Sequence, residues 1–345
     1  MITRSALASP IRRITGETKK KVIILSYAAS LDENLTDKLA DFDLRAERAD
    51  YDKPLLPQIR DANVLVNGLG TVDQSIIEAC PHLKLVHQVG TGVDNVDVDY
   101  CRQKSIYVAN IPHINNIAVA EHTLFLMMYL AKNMKNAGED LMGKKVIHLL
   151  GSELFGKKLT IVGLGATGME VSKRAKSFGM HVTAVTRNPN AKKRREKETD
   201  NSTSEAGSYV SKIFGVQDLL SSFSDADYIS IHTPLTDETK GMIGIKEFSS
   251  MKRDAFLINV ARAQIVEREA LFNALTNRTI AAAAFDVFWE EPADPNDKFL
   301  SLDNFVLTPH LAGWTTETVE AATRLISTNI NRVLNLGEKP LTIVS

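Results

Sequence analysis

Apolar positions along the chain come in short blocks separated by longer polar or amphipathic stretches. The first block, KVIILSY at residues 21–27, is a β-branched run of strand character. Similar runs follow at 63–67, 83–88 and 106–110, with helix-like stretches such as 75–79 between them. Strands that alternate with helices predict a parallel sheet with helices on both faces, because each parallel connection needs a crossover. Residues 115–135 then read as one long helix, capped by Asn115 or Asn116 and apolar nearly all round. Such a helix is buried on more than one side, between domains or at a subunit interface.

A second alternating series begins at Leu159 and runs to about Leu307, with candidate strands at 159–162, 182–186, 228–232, 256–259, 281–285 and 305–307. Six strands make a complete dinucleotide-binding sheet. A last helix, at about 316–336, has no strand of its own and is expected to return to the first domain. The reading is therefore α/β, with two doubly wound parallel-sheet domains and a substrate cleft between them. Residues 1–115 with 316–345 form a discontinuous first domain, and residues 116–315 form the second. A chain of 345 residues suits two such cores.

Composition narrows the function classes. With 41 basic and 42 acidic residues the net charge is -1, which gives no reason to expect a nucleic-acid surface. Cys80 and Cys101 stand apart and make no metal-ligand spacing, so no metal is expected and a reducing, cytoplasmic setting fits. The longest apolar run, residues 123–131, is about half of the ~20 residues a membrane span requires. Residues 1–21 are basic and weakly like an organellar presequence; a disordered leader is the favoured reading. Residues 188–207 have no apolar period and read as a solvated loop.

Chemistry first shows at Gly163-Leu164-Gly165-Ala166-Thr167-Gly168, a G-x-G-x-x-G between a strand and an amphipathic helix. Gly163 permits the tight turn, Gly165 lets a pyrophosphate approach the backbone, and Gly168 lets helix and strand pack. The helix start, with Ala166 and Thr167, offers N–H groups to phosphate. A carboxylate is expected at the end of the next strand in NAD enzymes, where it binds the ribose diol. Here Thr186 and Arg187 stand there, a hydroxyl and a guanidinium that suit a 2′-phosphate, so NADP is expected over NAD. Lys192, Lys193, Arg194 and Arg195 follow; a solvent-facing charge run is favoured over cofactor contact.

Further segments then carry a resemblance: HTPLTDETKGMI from His232, NVARAQIVEREAL from Asn259, AFDVFWEEP from Ala284 and TPHLAG from Thr308. VGTGVDNVD from Val89 and IPHINNIAVAE from Ile111 add to it. In this order the chain closely resembles the D-isomer-specific 2-hydroxyacid dehydrogenases from residue 21 to about 336. The resemblance implies a Rossmann NAD(P)-binding domain, a discontinuous flavodoxin-like substrate domain and a two-fold homodimer. It implies that Arg262 is the catalytic arginine, Glu291 the catalytic acid and His310 the proton donor. Backbone N–H groups of Gly90, Thr91 and Gly92 would meet the substrate carboxylate. His232, Thr233 and Pro234 would line the cofactor cleft, with Val260, Ala261, His310 and Gly313 also at the cofactor. Asp286 would face the nicotinamide carboxamide, though a buried Asp at a strand end also serves as a cap.

The residue types suit the chemistry. Reduction of a 2-oxo acid puts hydride on the carbonyl carbon and a proton on its oxygen, and an imidazolium donates that proton near neutral pH. A carboxylate beside the ring favours its charged form. A permanently charged, planar guanidinium binds a carboxylate and polarises the carbonyl. The family commonly has Arg-Gly where this chain has Arg262-Ala263, and Arg-Ile where it has Ala166-Thr167. The loop after Arg187 is longer than the family's by about ten residues, judged against the usual short βα connections. Glyoxylate and hydroxypyruvate are the expected substrates, since residues 88–92 and 67–70 carry no cation for a substrate phosphate. Two other readings stay open: 3-phosphoglycerate dehydrogenase, and a nicotinamide-sensing corepressor or binding module on the same fold.

Overall fold

The computed structural model describes residues 20–25, 29–68, 70–143, 150–189 and 209–344. The expected leader and the Lys192, Lys193, Arg194 and Arg195 run lie outside the described residues. Contacts divide the chain into two compact units. One comprises the chain up to Gln88, Asp97–Ala109 and everything from Ile326; the other comprises Val89–Val96 and Asn110–Leu325. Val89–Val96, grouped with the first domain in the sequence reading, goes with the second unit because its bonds lie there. The amide of Ile111 donates to Gly90 O, and Asp94 grips Arg262.

In the first unit five parallel strands form a sheet: β1 (Lys21–Leu25), β2 (Arg45–Arg48), β3 (Val64–Asn67), β4 (Leu85–Gln88) and β5 (Tyr107–Ala109), in the order β2-β1-β3-β4-β5. This is the flavodoxin-like order. Four of these strands were expected from their apolar runs. The fifth, β2, reads RAER and has no apolar pattern; charged edge strands of this kind are held by backbone pairing on one side only. Lys21 of β1 pairs with Glu47 of β2 at 3.1 Å. All four residues of β4 are buried, so its polar members, His87 and Gln88, must find partners inside the protein.

The second unit holds seven parallel strands: β6 (Lys158–Val162), β7 (His181–Thr186), β8 (Lys212–Gly215), β9 (Tyr228–Ile231), β10 (Phe256–Asn259), β11 (Ala282–Phe285) and β12 (Phe305–Leu307). Their order is β12-β11-β10-β9-β6-β7-β8, a Rossmann order with one further strand. Sequence reading finds six of the seven. It misses β8, whose four residues form the far edge of the sheet and only one of which is fully buried. Apolar side chains cover both faces: Ile229, Leu257, Phe285 and Phe305 on one, and Leu126, Met127, Ile161 and Val171 on the other.

The expected long helix is two. Asn116–Ala131 ends at Lys132, and Met134–Met142 begins after Asn133, which has a left-handed φ of 52°. Asparagine enters that region more readily than most side chains, so the chain turns there without glycine. On the first of these helices Leu124 and Met127 are buried, while Ile117, Phe125 and Met128 remain exposed. The last helix, Thr316–Asn331, runs into a π-helical turn at Arg332–Leu336 and stops at Gly337, with φ 67°. Among the described residues no helix is long and apolar enough to cross a membrane.

Candidate active site

Parallel strands present their carboxyl ends along one edge of the sheet, so strand order decides which loops are neighbours. In the second unit β12, β11, β10, β9, β6 and β7 lead in turn to His310, to Asp286 and Glu291, to Arg262, to His232, to the glycine turn, and to Thr186 and Arg187. Every expected catalytic and cofactor position in this unit therefore follows a strand at the same edge. The order of strand addition reverses at β6, with β7 and β8 on one side and β9 to β12 on the other, the place where open α/β sheets leave a crevice.

The glycine turn has the shape its sequence predicts. Gly163 takes φ 100°, and a Cβ there would lie 2.7 Å from the backbone of His232 and Thr233. A Cβ on Gly168 would overlap the Gly163 carbonyl oxygen, which leaves room for nothing larger. At Gly165 an added Cβ would meet nothing within 4 Å. Gly165 caps the helix Ala166–Ser177 without a side chain, so the first N–H groups stay available to an anion. The Thr167 hydroxyl donates to Asn116 Oδ1 at 2.9 Å, which ties the turn to the start of the helix before it. Next to the turn, His232 Nε2 bonds Ser230 Oγ at 2.7 Å, and its buried Nδ1 has no partner among the described residues. Burial holds that ring's pKa down to about 3, so it is neutral. Open space over Gly165, a bare helix start and an orphaned ring nitrogen fit a dinucleotide. Thr186 is half-buried and Arg187 exposed. The charge of Arg187 reaches Glu238, whose carboxyl lies below the usual range chiefly through the Thr236 hydroxyl and in smaller part through Arg187.

Arg262 sits in a turn fastened by Asn259, whose Nδ2 donates to Arg262 O at 2.9 Å and whose Oδ1 accepts from Ala261 N at 3.0 Å. Ala263, where glycine is common in the family, opens the 3-10 turn Ala263–Ile265 with no left-handed φ, so alanine fits. The guanidinium meets Asp94 in the loop that contains Gly90, Thr91 and Gly92, with Nε 3.1 Å from Asp94 Oδ2. Arginine and the expected carboxylate loop are thus side by side.

His310 and Glu291 are paired: Nδ1 lies 2.6 Å from Glu291 Oε2, and Glu291 Oε1 accepts from Phe288 N at 2.8 Å. The carboxylate fixes the ring's tautomer, and Nε2 has no partner among the described residues. His310 is also one of the non-glycine residues at positive φ, 52°. Such a backbone is unfavourable by roughly 1–3 kcal/mol and persists where its surroundings hold it. The holder is Asp286. Its Oδ1 accepts from the Thr308 hydroxyl at 2.5 Å and Leu311 N at 3.0 Å, and its Oδ2 accepts from Ala312 N at 2.8 Å. His122 Nε2 reaches Thr308 Oγ1 at 3.0 Å and Asp286 Oδ1 at 3.4 Å. Burial alone would raise the Asp286 pKa; bonds from His122, Thr308, Ala312 and Leu311 outweigh it and hold the carboxyl below the usual range. Asp286 thus caps the loop of His310 on both sides of that residue. A Cβ on Gly313, next in the loop, would lie 2.8 Å from Asn115 Nδ2.

Sequence reading assigned no role to Asp94 or His122, and named Asn116 only as a candidate helix cap. Asp94 lies inside a quoted motif, and His122 interrupts an otherwise apolar helix; both signals were present without a partner to interpret them.

Known proteins resemble this chain in sequence and fold. The model of the D-isomer specific 2-hydroxyacid dehydrogenase NAD-binding domain matches residues 124–312. A glyoxylate reductase of Korarchaeum cryptofilum is 32% identical over 302 residues, which is 85% of this chain and 86% of that protein. A D-3-phosphoglycerate dehydrogenase of Methanocaldococcus jannaschii is 37% identical over 297 residues, or 84% of this chain; the chain spans only 53% of that relative. Among solved structures, a protein of Thermus thermophilus superposes with a TM-score of 0.80 at 29% identity, covering 94% of this chain and 100% of that one. The chain belongs to the D-isomer specific 2-hydroxyacid dehydrogenases, oxidoreductases that act on a CH–OH group with a nicotinamide dinucleotide.

Proposed function

We propose that the chain reduces glyoxylate or hydroxypyruvate to the D-2-hydroxy acid, with NADPH preferred over NADH. The observation that carries this reading is the His310–Glu291 pair, held in a fixed tautomer beside the strand end that leads to Arg262. Arg262 and the N–H groups of Gly90, Thr91 and Gly92 bind the substrate carboxylate. The glycine turn would hold the pyrophosphate of a nicotinamide dinucleotide, with His232, Thr233, Pro234, Val260, Ala261 and Gly313 around the cofactor, which when bound and reduced would supply hydride for the carbonyl carbon. His310, protonated and hydrogen-bonded to Glu291 through Nδ1, gives its Nε2 proton to the developing alkoxide. Asp286 keeps His310 in place. The second unit is the cofactor domain and, through Val89–Val96, also carries the substrate-carboxylate loop.

NADPH preference rests on Thr186 and Arg187 at the end of β7, neither of them a carboxylate that would repel a 2′-phosphate. A charge-assisted bond to that phosphate gives about a 10- to 150-fold preference in affinity. The test is kcat/KM with NADPH and NADH on glyoxylate, hydroxypyruvate, pyruvate and 3-phosphohydroxypyruvate, for the natural chain and for Thr186→Asp/Arg187→Ala. Preference for NADH, or a double variant that does not shift toward it, sinks the cofactor assignment. A clear preference for 3-phosphohydroxypyruvate would instead favour the phosphoglycerate reading, which the 37% identity to the Methanocaldococcus protein supports. Cofactor binding without turnover on any acid would favour a sensor.

A cytoplasmic homodimer completes the proposal. Cys80 and Cys101 are unpaired and buried, with burial raising both thiols to about 11, which suits a reducing compartment. Ile117, Phe125 and Met128 line the exposed side of one helix, an apolar stripe that a second copy would cover. A monomeric mass by light scattering at micromolar concentration would contradict the dimer.

A further inference from the structure

The five N–H donors of Arg262 are unequally engaged. Nε donates to Asp94 Oδ2 at 3.1 Å and Oδ1 at 3.3 Å, Nη2 donates to Asp94 Oδ1 at 3.1 Å, and Nη1 donates to Ala261 O at 2.9 Å. Of the five N–H groups, one on Nη1 and one on Nη2 have no partner among the described residues. Two N–H groups of a guanidinium can receive a carboxylate in a bidentate pair. Because Asp94 grips the Nε–Nη2 edge and Ala261 O takes Nη1, the guanidinium plane is fixed before any substrate arrives.

Gly92 makes this grip possible. A Cβ there would overlap Arg262 Nη2 and lie 2.7 Å from Asp94 Oδ1, so the ion pair occupies the space a side chain would need. Neither partner is deeply buried, with side-chain exposures of 30% for Arg262 and 32% for Asp94. At such exposure an ion pair contributes little to stability. Its value lies in direction: a long, rotatable arginine aimed by a short, stiff aspartate.

We infer that Asp94 is a positioning residue, which orients the Arg262 fork for the carboxylate of the 2-oxo acid. The inference rests on Arg262 being the substrate arginine. An opposite role is chemically conceivable, in which the Asp94 carboxylate competes with the substrate for the guanidinium. The two differ in sign.

Asp94→Asn and Asp94→Ala are assayed with glyoxylate and NADPH, and oxamate affinity is measured on the enzyme–NADPH complex. Loss of positioning should raise KM for glyoxylate and Kd for oxamate together by about 10- to 100-fold, the range of a charge-assisted hydrogen bond. NADPH affinity should stay within about twofold, because the cofactor end of the edge is untouched, and Asp94→Glu should recover part of the loss. A role in folding alone would lower kcat through the active fraction and leave KM and oxamate Kd where they were. That result, or tighter oxamate binding in Asp94→Asn, overturns the inference. Arg262→Ala in parallel separates the two layers. If it is severely impaired while Asp94→Asn behaves as the natural chain, only the positioning role fails; if it retains full activity, the functional reading fails with it.

Discussion

Two histidines, one in each unit, show how differently the same side chain is used. His87 lies in β4, fully buried, with both ring nitrogens engaged: Asn329 Nδ2 is 3.0 Å from Nε2, and Nδ1 is 3.2 Å from Gln88 O. The Asn329 amide cannot turn over, since its Oδ1 accepts from Leu341 N at 2.7 Å and its Nδ2 also donates to Thr342 Oγ1 at 3.0 Å. The neighbouring strand-end amides are linked but not closed: Asn67 Nδ2 donates to Gln88 Oε1 and Gln88 Nε2 to Gly68 O, each at 2.8 Å, while the buried Asn67 Oδ1 has no partner among the described residues. His310 follows β12, half-exposed, at a strained φ, with Nδ1 engaged and Nε2 unengaged among the described residues. The first histidine spends its hydrogen-bonding capacity on the fold; the second is held so that half of it remains for a ligand. Chemistry is found where capacity is left over and the frame is rigid.

The strongest way to break this contrast is to remove the catalytic ring. His310→Ala should lower kcat by about 10²- to 10⁴-fold, as expected for a general acid, while NADPH affinity and thermal stability change little. Glu291→Gln should reproduce part of that loss, because Nδ1 keeps a hydrogen-bond acceptor and loses the anionic partner. Stopped-flow single turnovers check the chemical step directly. Turnover at the natural rate in His310→Ala would end the assignment.

His87 should show the reverse: no effect on chemistry and a clear one on acid stability. Burial holds its folded pKa down to about 4, against the ordinary histidine value of 6.5. The unfolded chain therefore binds a proton first as pH falls, so the stabilisation is complete above pH 6.5 and is lost progressively toward pH 4. Protonation would also place two donors against each other at Asn329. Between pH 7 and pH 5 the natural chain should lose about 2 kcal/mol more than His87→Gln, from the linkage of one proton at ~1.4 kcal/mol per pH unit. Urea midpoints at the two pH values measure this difference. Equal losses would mean that His87 does not titrate in this window. His232 has the same direction of shift in the other unit, so it cancels in the comparison.

Fold and site were legible in the sequence to different depths. Central strands such as VLVN and AAAF are apolar because both faces are covered, so their runs stand out. The two missed strands, RAER and KIFG, are edges whose pairing is backbone on one side, and backbone pairing leaves no side-chain signature. The break at Asn133 was hidden because Lys132, Asn133 and Met134 contain neither glycine nor proline. In the site, the residue types and the glycine spacing were readable locally. The partners were not: Asp94 meets Arg262 across 168 positions, and His122 meets Thr308 across 186. Asp286 was expected at the carboxamide or as a cap; both its oxygens bond the His310 loop, and which backbone it caps only the folded turn reveals.

The smallest effect tests whether leftover space, like leftover hydrogen-bonding capacity, marks the ligand. Gly165 and Gly168 stand three residues apart in the same turn, and both would be written as essential glycines from the sequence. Their surroundings differ. Alanine at 168 would overlap Gly163 O and lie 3.1 Å from Ile161 Cγ2, so Gly168→Ala should lower the melting temperature with or without cofactor. Alanine at 165 would meet nothing within 4 Å, and the backbone there, φ -84° and ψ -163°, is extended and open to any residue. Gly165→Ala should therefore melt as the natural chain does when no cofactor is present. If the space over Gly165 is where the pyrophosphate lies against the helix start, the added methyl weakens NADPH by about tenfold, in the range that one misplaced methylene produces in a tight site. Calorimetric titration measures the affinity, and the NADPH-induced rise in melting temperature should shrink with it. Natural affinity in Gly165→Ala would place the phosphates away from this turn, and the open space would then be only surface.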